Sequence, residues 1–205
     1  MPATTSVSHT QAIDLLKAGN ARYAAHARET EPHTTGYAAE ERPIAIIVGC
    51  CDHRVPPDTL FDVDPGKLFA VRVAGNVVTP TQLGSVEYGV MTYAPHLIVV
   101  LGHQHCSAVK DAIDTHIHDL PPRSKHTRAI SDEIAPACHT CADSIDPIQD
   151  PDVLAYAVTL RNIAVSIERL RAESAIIRSL VEQNEIQIVG AYYNMDAGTV
   201  EFLDH

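Results

Sequence analysis

The apolar residues of this 205-residue chain fall into short continuous runs that alternate with amphipathic stretches. β-Branched and aliphatic runs at residues 44–48, 68–73 and 97–101 are typical of buried parallel strands, because both faces of such strands are covered. A fourth run at residues 186–190 and a shorter one at residues 199–203 follow near the end of the chain. The hydrophobic pattern therefore predicts four buried strands and one short strand.

Helical periodicity fills the intervals between these runs. Apolar spacing with a Ser8–Gln11 capping-box pattern predicts a first helix to about residue 28, and Thr79-Pro80 opens a second helix to about residue 93. Helices are also predicted from residue 106 to about 116 and, as one or two long segments, over residues 154–181. Four prolines weaken any prediction between residues 117 and 150.

The alternation of strands and helices predicts an α/β protein with three layers. We expect a four-stranded parallel central sheet plus a short C-terminal edge strand, with helices on both faces. The predicted organisation is a single domain over residues 1–205, in which residues 1–43 form an N-terminal helical arm and loop and residues 44–205 form the α/β core.

Charge and composition narrow the possible functions. The 26 acidic residues outnumber the 15 basic residues, giving a net charge of -11, and the basic residues form no stripe. Binding to nucleic acid or to an anionic membrane surface is therefore disfavoured. The apolar runs are far shorter than the roughly 20 residues of a membrane span, and the first 30 residues show no secretory signal. We expect a cytoplasmic protein.

Cysteine and histidine are placed unevenly, and two clusters directly follow predicted strands. Cys50-Cys51-Asp52-His53-Arg54 comes after the first strand, and His103-Gln104-His105-Cys106 comes after the third. In open α/β sheets, ligands bind beyond the carboxyl ends of the strands, at the point where neighbouring connections diverge. If these two strands are adjacent, the two motifs meet there.

The spacing within the motifs predicts a metal site. His103 and Cys106 stand three residues apart and would share one face at the start of a helix, and Cys50 would be the third ligand. Cys51 and His105 would point away, as supporting or core residues. Two thiolates and one imidazole suit Zn²⁺, with one ion per chain and a fourth position for water. The alternative interpretation is a buried reduced Cys50 beside a hydrogen-bonded core histidine.

Asp52 and Arg54 are two residues apart and can project to one side as a bidentate pair. Beside a zinc-bound water, a carboxylate held by a guanidinium can accept a hydrogen bond and orient that water toward a substrate. The alternative is an ion pair with a purely structural role.

At these residues the sequence resembles the β-class carbonic anhydrases. The resemblance extends over residues 15–23, 43–78, 84–88, 97–109 and 190–203. It implies that Cys50, His103 and Cys106 bind zinc, and that Asp52 and Arg54 are catalytic. It also implies an apolar substrate pocket lined by Phe69 and Tyr88, often shared across a dimer interface.

The function implied by this resemblance is the reversible hydration of carbon dioxide to bicarbonate and a proton by zinc-bound hydroxide. The resemblance further implies a homodimer or higher homo-oligomer, with the N-terminal helix packed on a partner subunit. An alternative on the same zinc site is hydrolysis of carbon disulfide or carbonyl sulfide.

Four positions depart from the pattern of the family, among them Ser107 and Ile47, and the other two bear directly on the proposed chemistry. His53 stands where a small residue such as serine is usual, and it could transfer protons, disturb the Asp52–Arg54 pair or serve as a hydrogen-bonding neighbour. Glu41 stands where many members have a glutamine that donates a hydrogen bond to bicarbonate, which an ionised carboxylate cannot do. These departures motivate a further alternative, a catalytically weak bicarbonate-binding regulatory protein.

A second cysteine motif lies outside the region of the predicted metal site. Cys138 and Cys141 have C-x-x-C spacing, and His116, His118 and His126 are near in sequence. A second metal site is one interpretation of this cluster. The other is a solvated connection that happens to be rich in histidine.

Overall fold

The computed structural model describes residues 13–14, 17–18, 42–146 and 151–203. Four residues of the first predicted helix, Ile13, Asp14, Lys17 and Ala18, are helical, and the rest of that helix lies outside the described residues, as does Glu41. The chain divides into two compact units, Met1–Glu41 and Arg42–His205, and the second contains the sheet. The single domain over residues 1–205 stays a prediction.

Over the residues that the structure describes, the sheet has five strands in the order β2-β1-β3-β4-β5. The strands are β1 (Ala45–Gly49), β2 (Leu68–Arg72), β3 (Leu97–His103), β4 (Gln187–Asn194) and β5 (Thr199–Leu203). The pairs β2·β1, β1·β3 and β3·β4 are parallel, whereas β4 and β5 are antiparallel. The predicted four-stranded parallel sheet with a C-terminal edge strand is confirmed, although β3 and β4 extend beyond the predicted ends.

Six helices connect these strands within the described part of the second unit. They are α1 (Pro57–Leu60), α2 (Pro80–Tyr93), α3 (Ser107–His116), α4 (Lys125–Ala142), α5 (Pro151–Glu173) and α6 (Ala175–Glu182). The segment predicted as one or two helices is two, because the Ser174 side chain accepts a hydrogen bond from the amide of Ile177 at 3.1 Å and so starts α6.

Helix α4 lies in the stretch that the prolines left without a firm prediction. Ser124 and Thr127 cap its start through a reciprocal pair of hydrogen bonds. The helix continues through Pro136, which is exposed, while Ile134, Ala137 and Cys138 are fully buried. Burial of this face outweighs the one backbone hydrogen bond that proline removes.

Apolar side chains cover both faces of the sheet. On one face, Ile46, Val48, Ile98, Val100 and Ile188 pack against residues of α2, α5 and α6. On the other face, Ile47, Val99 and Leu101 contact a cluster that includes Leu60 of α1 and Phe61. A third cluster lies at the carboxyl ends of the strands, where Cys50 and Cys106 pack with α3, α4 and α5. No helix among the residues described here has the length and apolarity that crossing a membrane requires.

Helix α2 lies close against the sheet at Gly89. A Cβ at this position would lie 2.9 Å from Cδ1 of Phe69 and 3.1 Å from Cδ1 of Ile46, whereas a Cβ at Gly84 on the same helix would meet nothing within 4 Å. We therefore expect Gly89→Ala to lower the free energy of unfolding by about 1–3 kcal/mol through overpacking, despite the better helix propensity of alanine.

The matched variant Gly84→Ala should instead raise the free energy of unfolding by about 0.5–1 kcal/mol, because only helix propensity changes there. Urea unfolding of both variants measures the difference. Equal stabilisation by the two substitutions would show that α2 does not depend on close contact at Gly89.

Candidate metal centre

The two motifs that follow β1 and β3 meet at the carboxyl edge of the sheet. Because β1 and β3 are adjacent and parallel, with Gly49 paired to Leu101, Cys50 comes next to the end of β3. Ligand atoms of Cys50, His103 and Cys106 all lie within 4.8 Å of one another. No other group of three or more His, Cys, Asp or Glu side chains in the described ranges is this tightly clustered. We call these three residues the candidate metal centre.

The geometry that joins His103 to Cys106 differs from the one we predicted. His103 is the last residue of β3 and Cys106 is the N-cap of α3, so the two do not share a helical face. A tight turn brings them together, with His105 in the left-handed region at φ 55°. The Gln104 amide donates to the Tyr193 carbonyl at 2.9 Å, which ties this turn to β4.

The imidazole of His103 is arranged as a metal ligand. Its Nδ1 lies 2.8 Å from the backbone carbonyl of Gln104, so this nitrogen carries the proton and donates. Its Nε2 is buried and has no hydrogen-bond partner. A buried acceptor without a partner costs free energy, and a metal ion at this position would satisfy it.

The two sulfur atoms are only 3.9 Å apart, within hydrogen-bond distance for sulfur. The hydrogen bond from the Cys106 thiol is the largest factor that lowers the pKa of Cys50, to about 4, against the opposing effect of burial. The same hydrogen bond and burial raise the pKa of Cys106. A cation that replaces the Cys106 thiol proton would bind both sulfurs, and two sulfurs with one imidazole nitrogen match the ligand preference of zinc.

Backbone amides also point at the Cys50 sulfur. The amides of Asp52 and Gly75 each donate to Cys50 Sγ at 3.4 Å. The guanidinium of Arg72 donates to the carbonyls of Cys50 at 2.9 Å and of Asp52 at 2.6 Å, which fixes the loop after β1. These contacts stabilise a thiolate at Cys50 in a largely apolar cluster.

Asp52 and Arg54 form the bidentate pair that their spacing predicts. Arg54 Nε donates to Asp52 Oδ1 at 2.9 Å, and an Arg54 terminal nitrogen donates to Oδ2 at 2.6 Å. The Arg54 amide donates to Oδ1 as well, at 2.9 Å. The Arg54 side-chain hydrogen bonds hold the pKa of Asp52 well below its usual range. Both carboxylate oxygens are thus engaged by Arg54.

Three neighbouring side chains face solvent. The side chain of His53 is 92% exposed, and its Nδ1 lies 3.6 Å from Asp52 Oδ1, longer than the roughly 3.2 Å of an N–H···O hydrogen bond. Cys51 and His105 are also exposed, so the prediction that they could be core residues is wrong. The backbone carbonyl of His105 does contact the site, because it accepts a hydrogen bond from the Arg54 guanidinium at 3.1 Å. Both residues lie in loops at the sheet edge, where a side chain that points away from the metal centre meets water.

Phe69 and Tyr88 are not brought to the candidate metal centre within one chain. Phe69 pairs with Ile46, four residues before Cys50, which corresponds to about 13 Å along the strand. Its ring packs against Tyr88 and Tyr93, with centroid distances of 6.4 Å and 5.6 Å. Tyr88 is 56% exposed on α2. Their role in a substrate pocket stays a prediction, as does that of Glu41.

The second metal site considered for Cys138 and Cys141 is not found among the residues that the structure describes. Both cysteines are buried on α4, and burial raises their pKa values, that of Cys138 to about 12. The rings of His116 and His139 stack edge to face with centroids 5.8 Å apart. These thiols act as small apolar core residues.

Three buried or half-buried polar residues behind the metal centre were not predicted from the sequence. Arg72 ends β2, and Asn162 and Ser166 interrupt the apolar pattern of α5 at a spacing of four residues. The polar residues at core positions of α5 could have been recognised in the sequence as groups with specific buried partners, because polar side chains are buried only where they are hydrogen-bonded.

Comparison with known proteins gives a consistent result. A family model described as carbonic anhydrase matches residues 45–200. Carbonic anhydrase 2 of Mycobacterium tuberculosis is 34% identical over 209 aligned residues, which cover 100% of this chain and 96% of the relative. The carbonic anhydrase of Mycolicibacterium smegmatis is 30% identical over 198 residues, covering 93% of this chain and 91% of the relative.

Solved structures share the fold. A structure from work on two tetrameric β-carbonic anhydrases of Sordaria macrospora superposes with a TM-score of 0.82 at 20% identity and covers 96% of this chain and 98% of that chain. The β-carbonic anhydrase of Coccomyxa, solved with acetazolamide, superposes with a TM-score of 0.78 at 22% identity, over 98% and 87% of the two chains. At these identities the structural likeness shows the fold alone.

The donor set predicts how metal binding responds to loss of a sulfur. Cys106→Ser should lower zinc affinity by more than about 100-fold. Loss of a side chain that only hydrogen-bonds to a metal ligand costs about 10- to 100-fold, and loss of the ligand itself should cost more. Competition with a chromogenic chelator measures this affinity. Cys138→Ala is the matched control, since it removes a buried sulfur outside the metal centre and should leave zinc affinity unchanged. Equal affinities for wild type and Cys106→Ser would contradict the assignment.

Proposed function

Because the chain belongs to the β-class carbonic anhydrase family, and is a carbonic anhydrase on that evidence, we propose that it uses one zinc ion per chain to hydrate carbon dioxide to bicarbonate and a proton. One observation carries the proposal. Two buried sulfurs and one unpartnered imidazole nitrogen converge beside a carboxylate held by a guanidinium.

The sulfurs of Cys50 and Cys106 and Nε2 of His103 would hold the ion. When bound, zinc would supply hydroxide at neutral pH, since it lowers the pKa of water from about 15.7 to about 7. A set of three protein ligands, rather than four, is typical of catalytic and not of structural zinc sites.

Asp52 orients the nucleophile as a hydrogen-bond acceptor. The Asp52 carboxyl, whose pKa Arg54 holds well below its usual range, is ionised throughout the neutral range, and an ionised carboxylate can only accept. A group with such a low pKa does not retain a proton at neutral pH, so the proton released by hydration must pass to another acceptor. Asp52 therefore positions a reactant, and Arg54 positions Asp52.

His53 leaves this pair intact. Its ring lies in solvent, and Arg54 retains both carboxylate oxygens of Asp52. This arrangement favours the hydratase over the weakly active bicarbonate-binding protein, because the pair that His53 might have disturbed is complete. Hydrolysis of carbonyl sulfide or carbon disulfide uses the same residues, and assays with these substrates on the same zinc-loaded preparation separate the two activities.

We further propose that the chain works as a homo-oligomer in which a partner completes the substrate pocket. The Sordaria macrospora relative is tetrameric. In the sheet formed by the described residues β2 lies at one edge, and Phe69, Tyr93 and the exposed Tyr88 form an aromatic cluster beside it. Pairing at this edge would bring the cluster of one protomer toward the metal centre of its partner.

We also propose a cytoplasmic location. All five cysteines are free thiols, including the exposed Cys51. Unpaired cysteines of this kind suit a reducing compartment, where disulfides are rare.

The Asp52–Arg54 pair gives a direct test of the hydratase mechanism. Asp52→Asn should keep zinc but lower carbon dioxide hydration by about 100-fold or more, because the amide can donate where the carboxylate could only accept. Stopped-flow hydration with an indicator, on protein of known zinc content, measures this loss. Full turnover by Asp52→Asn would contradict the proposed role.

Arg54→Gln adds a test based on pH. Loss of the guanidinium lets the pKa of Asp52 rise only toward its ordinary value of about 3.9, so the carboxylate stays ionised above about pH 6. We therefore expect activity to fall about 10- to 100-fold with no change in the shape of the pH–rate profile between about pH 6.5 and 9. A new inflection in that range would mean that Arg54 acts by tuning a titration and not by orientation.

The oligomer proposal is tested at Tyr88. Tyr88→Glu should shift the mass measured by light scattering toward the 22.2 kDa of one chain and lower hydration at least about 10-fold. Leu120→Glu is the control, because Leu120 is also an exposed apolar residue, at 51%, in the loop after α3. A Tyr88→Glu protein that keeps both its mass and its activity would overturn the proposal.

A further inference from the structure

A row of polar side chains on α5 contacts the loop that follows β2. Asn162 Nδ2 donates to the Gly75 carbonyl at 2.8 Å, and Ser166 Oγ donates to the Asn76 carbonyl at 3.0 Å. Asn162 and Ser166 are each only 1% exposed. Their spacing of four residues places them on one face of the helix. The loop is thus held to α5 by buried hydrogen bonds.

The other side of this loop contacts the candidate metal centre. The Gly75 amide donates to Cys50 Sγ at 3.4 Å, so the loop lies between α5 and the sulfur. Gly75 and Asn76 both have left-handed backbone, with φ of 72° and 45°. A Cβ at Gly75 would lie 2.8 Å from Cδ1 of Ile134, so neither the conformation nor the space admits another residue.

The strained turn needs anchors to keep its amide aimed at the sulfur. Left-handed conformation is costly for Asn76, a non-glycine residue, and such backbone persists only where surrounding contacts enforce it. The two carbonyls held by Asn162 and Ser166 fix the peptide planes on either side of Asn76, directly after the residue whose amide faces the sulfur. Buried polar side chains in a helix that otherwise faces the core are themselves costly unless hydrogen-bonded, which indicates that these contacts have a specific role.

We propose that Asn162 and Ser166 are positioning residues of the metal centre: they hold the Gly75–Asn76 turn so that the Gly75 amide donates to the Cys50 sulfur. This inference rests on the proposed zinc centre. Through this amide they control how well Cys50 is placed as a ligand and how much negative charge its sulfur donates to the metal. Outer contacts of this kind commonly change metal affinity 10- to 100-fold.

The chain offers a matched control on the same helix. Thr159 is also buried, but its hydroxyl donates to the Ala155 carbonyl within α5, at 2.8 Å, and not to the loop. Thr159→Val therefore removes one buried hydroxyl while retaining the methyl group and the overall shape. A purely structural effect of losing a buried hydrogen bond on α5 should appear in this variant too.

The experiment compares Ser166→Ala, Asn162→Leu and Thr159→Val with the wild-type chain. Zinc affinity is measured by chelator competition, and the energy of the thiolate-to-cobalt charge-transfer band is measured on the Co²⁺-substituted protein. Thermal unfolding of the metal-free protein reports stability separately. We expect Ser166→Ala and Asn162→Leu each to weaken zinc binding about 10-fold and to move the band to lower energy, since a sulfur that loses an amide donor holds its electrons less tightly. Thr159→Val should change neither property.

Lower thermal stability of Ser166→Ala and Asn162→Leu without any change in zinc affinity or band energy would overturn the inference, because the contacts would then serve packing alone. If Asn162→Leu does not fold, the milder Ser166→Ala decides between these outcomes. A wild-type protein that binds no zinc, or whose cobalt derivative has no thiolate band, would overturn the zinc centre itself, a failure distinct from that of the positioning residues.

Discussion

The structure depends on the parallel pairing of β1 with β3, which brings two chain segments far apart in sequence to one point at the sheet edge. The pairing of Gly49 with Leu101 sets Cys50 beside the segment that carries His103 and Cys106. Two sulfurs 3.9 Å apart in an apolar cluster would repel each other if both were ionised, and their hydrogen bond lowers the pKa of Cys50 and raises that of Cys106, so that one stays a thiol in the metal-free protein. A bound cation would neutralise both thiolates and remove this repulsion.

The neighbouring elements compensate for the buried charge. Arg72, at the end of β2, holds two carbonyls of the loop after β1, while Arg54 holds the Asp52 carboxylate outside the group of three ligands. The loop after β2 supplies an amide to the Cys50 sulfur and is itself held by α5. The chemistry proposed for the site therefore depends on contacts from β2 and α5 as well as on the ligands.

Much of the fold could be predicted, because continuous β-branched runs identify buried parallel strands and motifs at strand ends identify the site. The path that joins His103 to Cys106 could not be predicted, since a three-residue spacing is compatible with both a helix and a turn. The left-handed backbone conformation of His105 is not indicated by its residue type. Helix α4 was also missed, because burial of its inner face overrides Pro136. The aromatic cluster around Phe69 lies away from the metal centre, and one chain in isolation does not show what it contacts.

X-ray absorption at the zinc edge of the loaded wild-type protein identifies the ligand atoms independently of activity. We expect two sulfurs at about 2.3 Å and two nitrogen or oxygen ligands at about 2.0–2.1 Å. Zinc with no sulfur ligand, or with three or four, would show that Cys50, His103 and Cys106 are not the set that binds the metal.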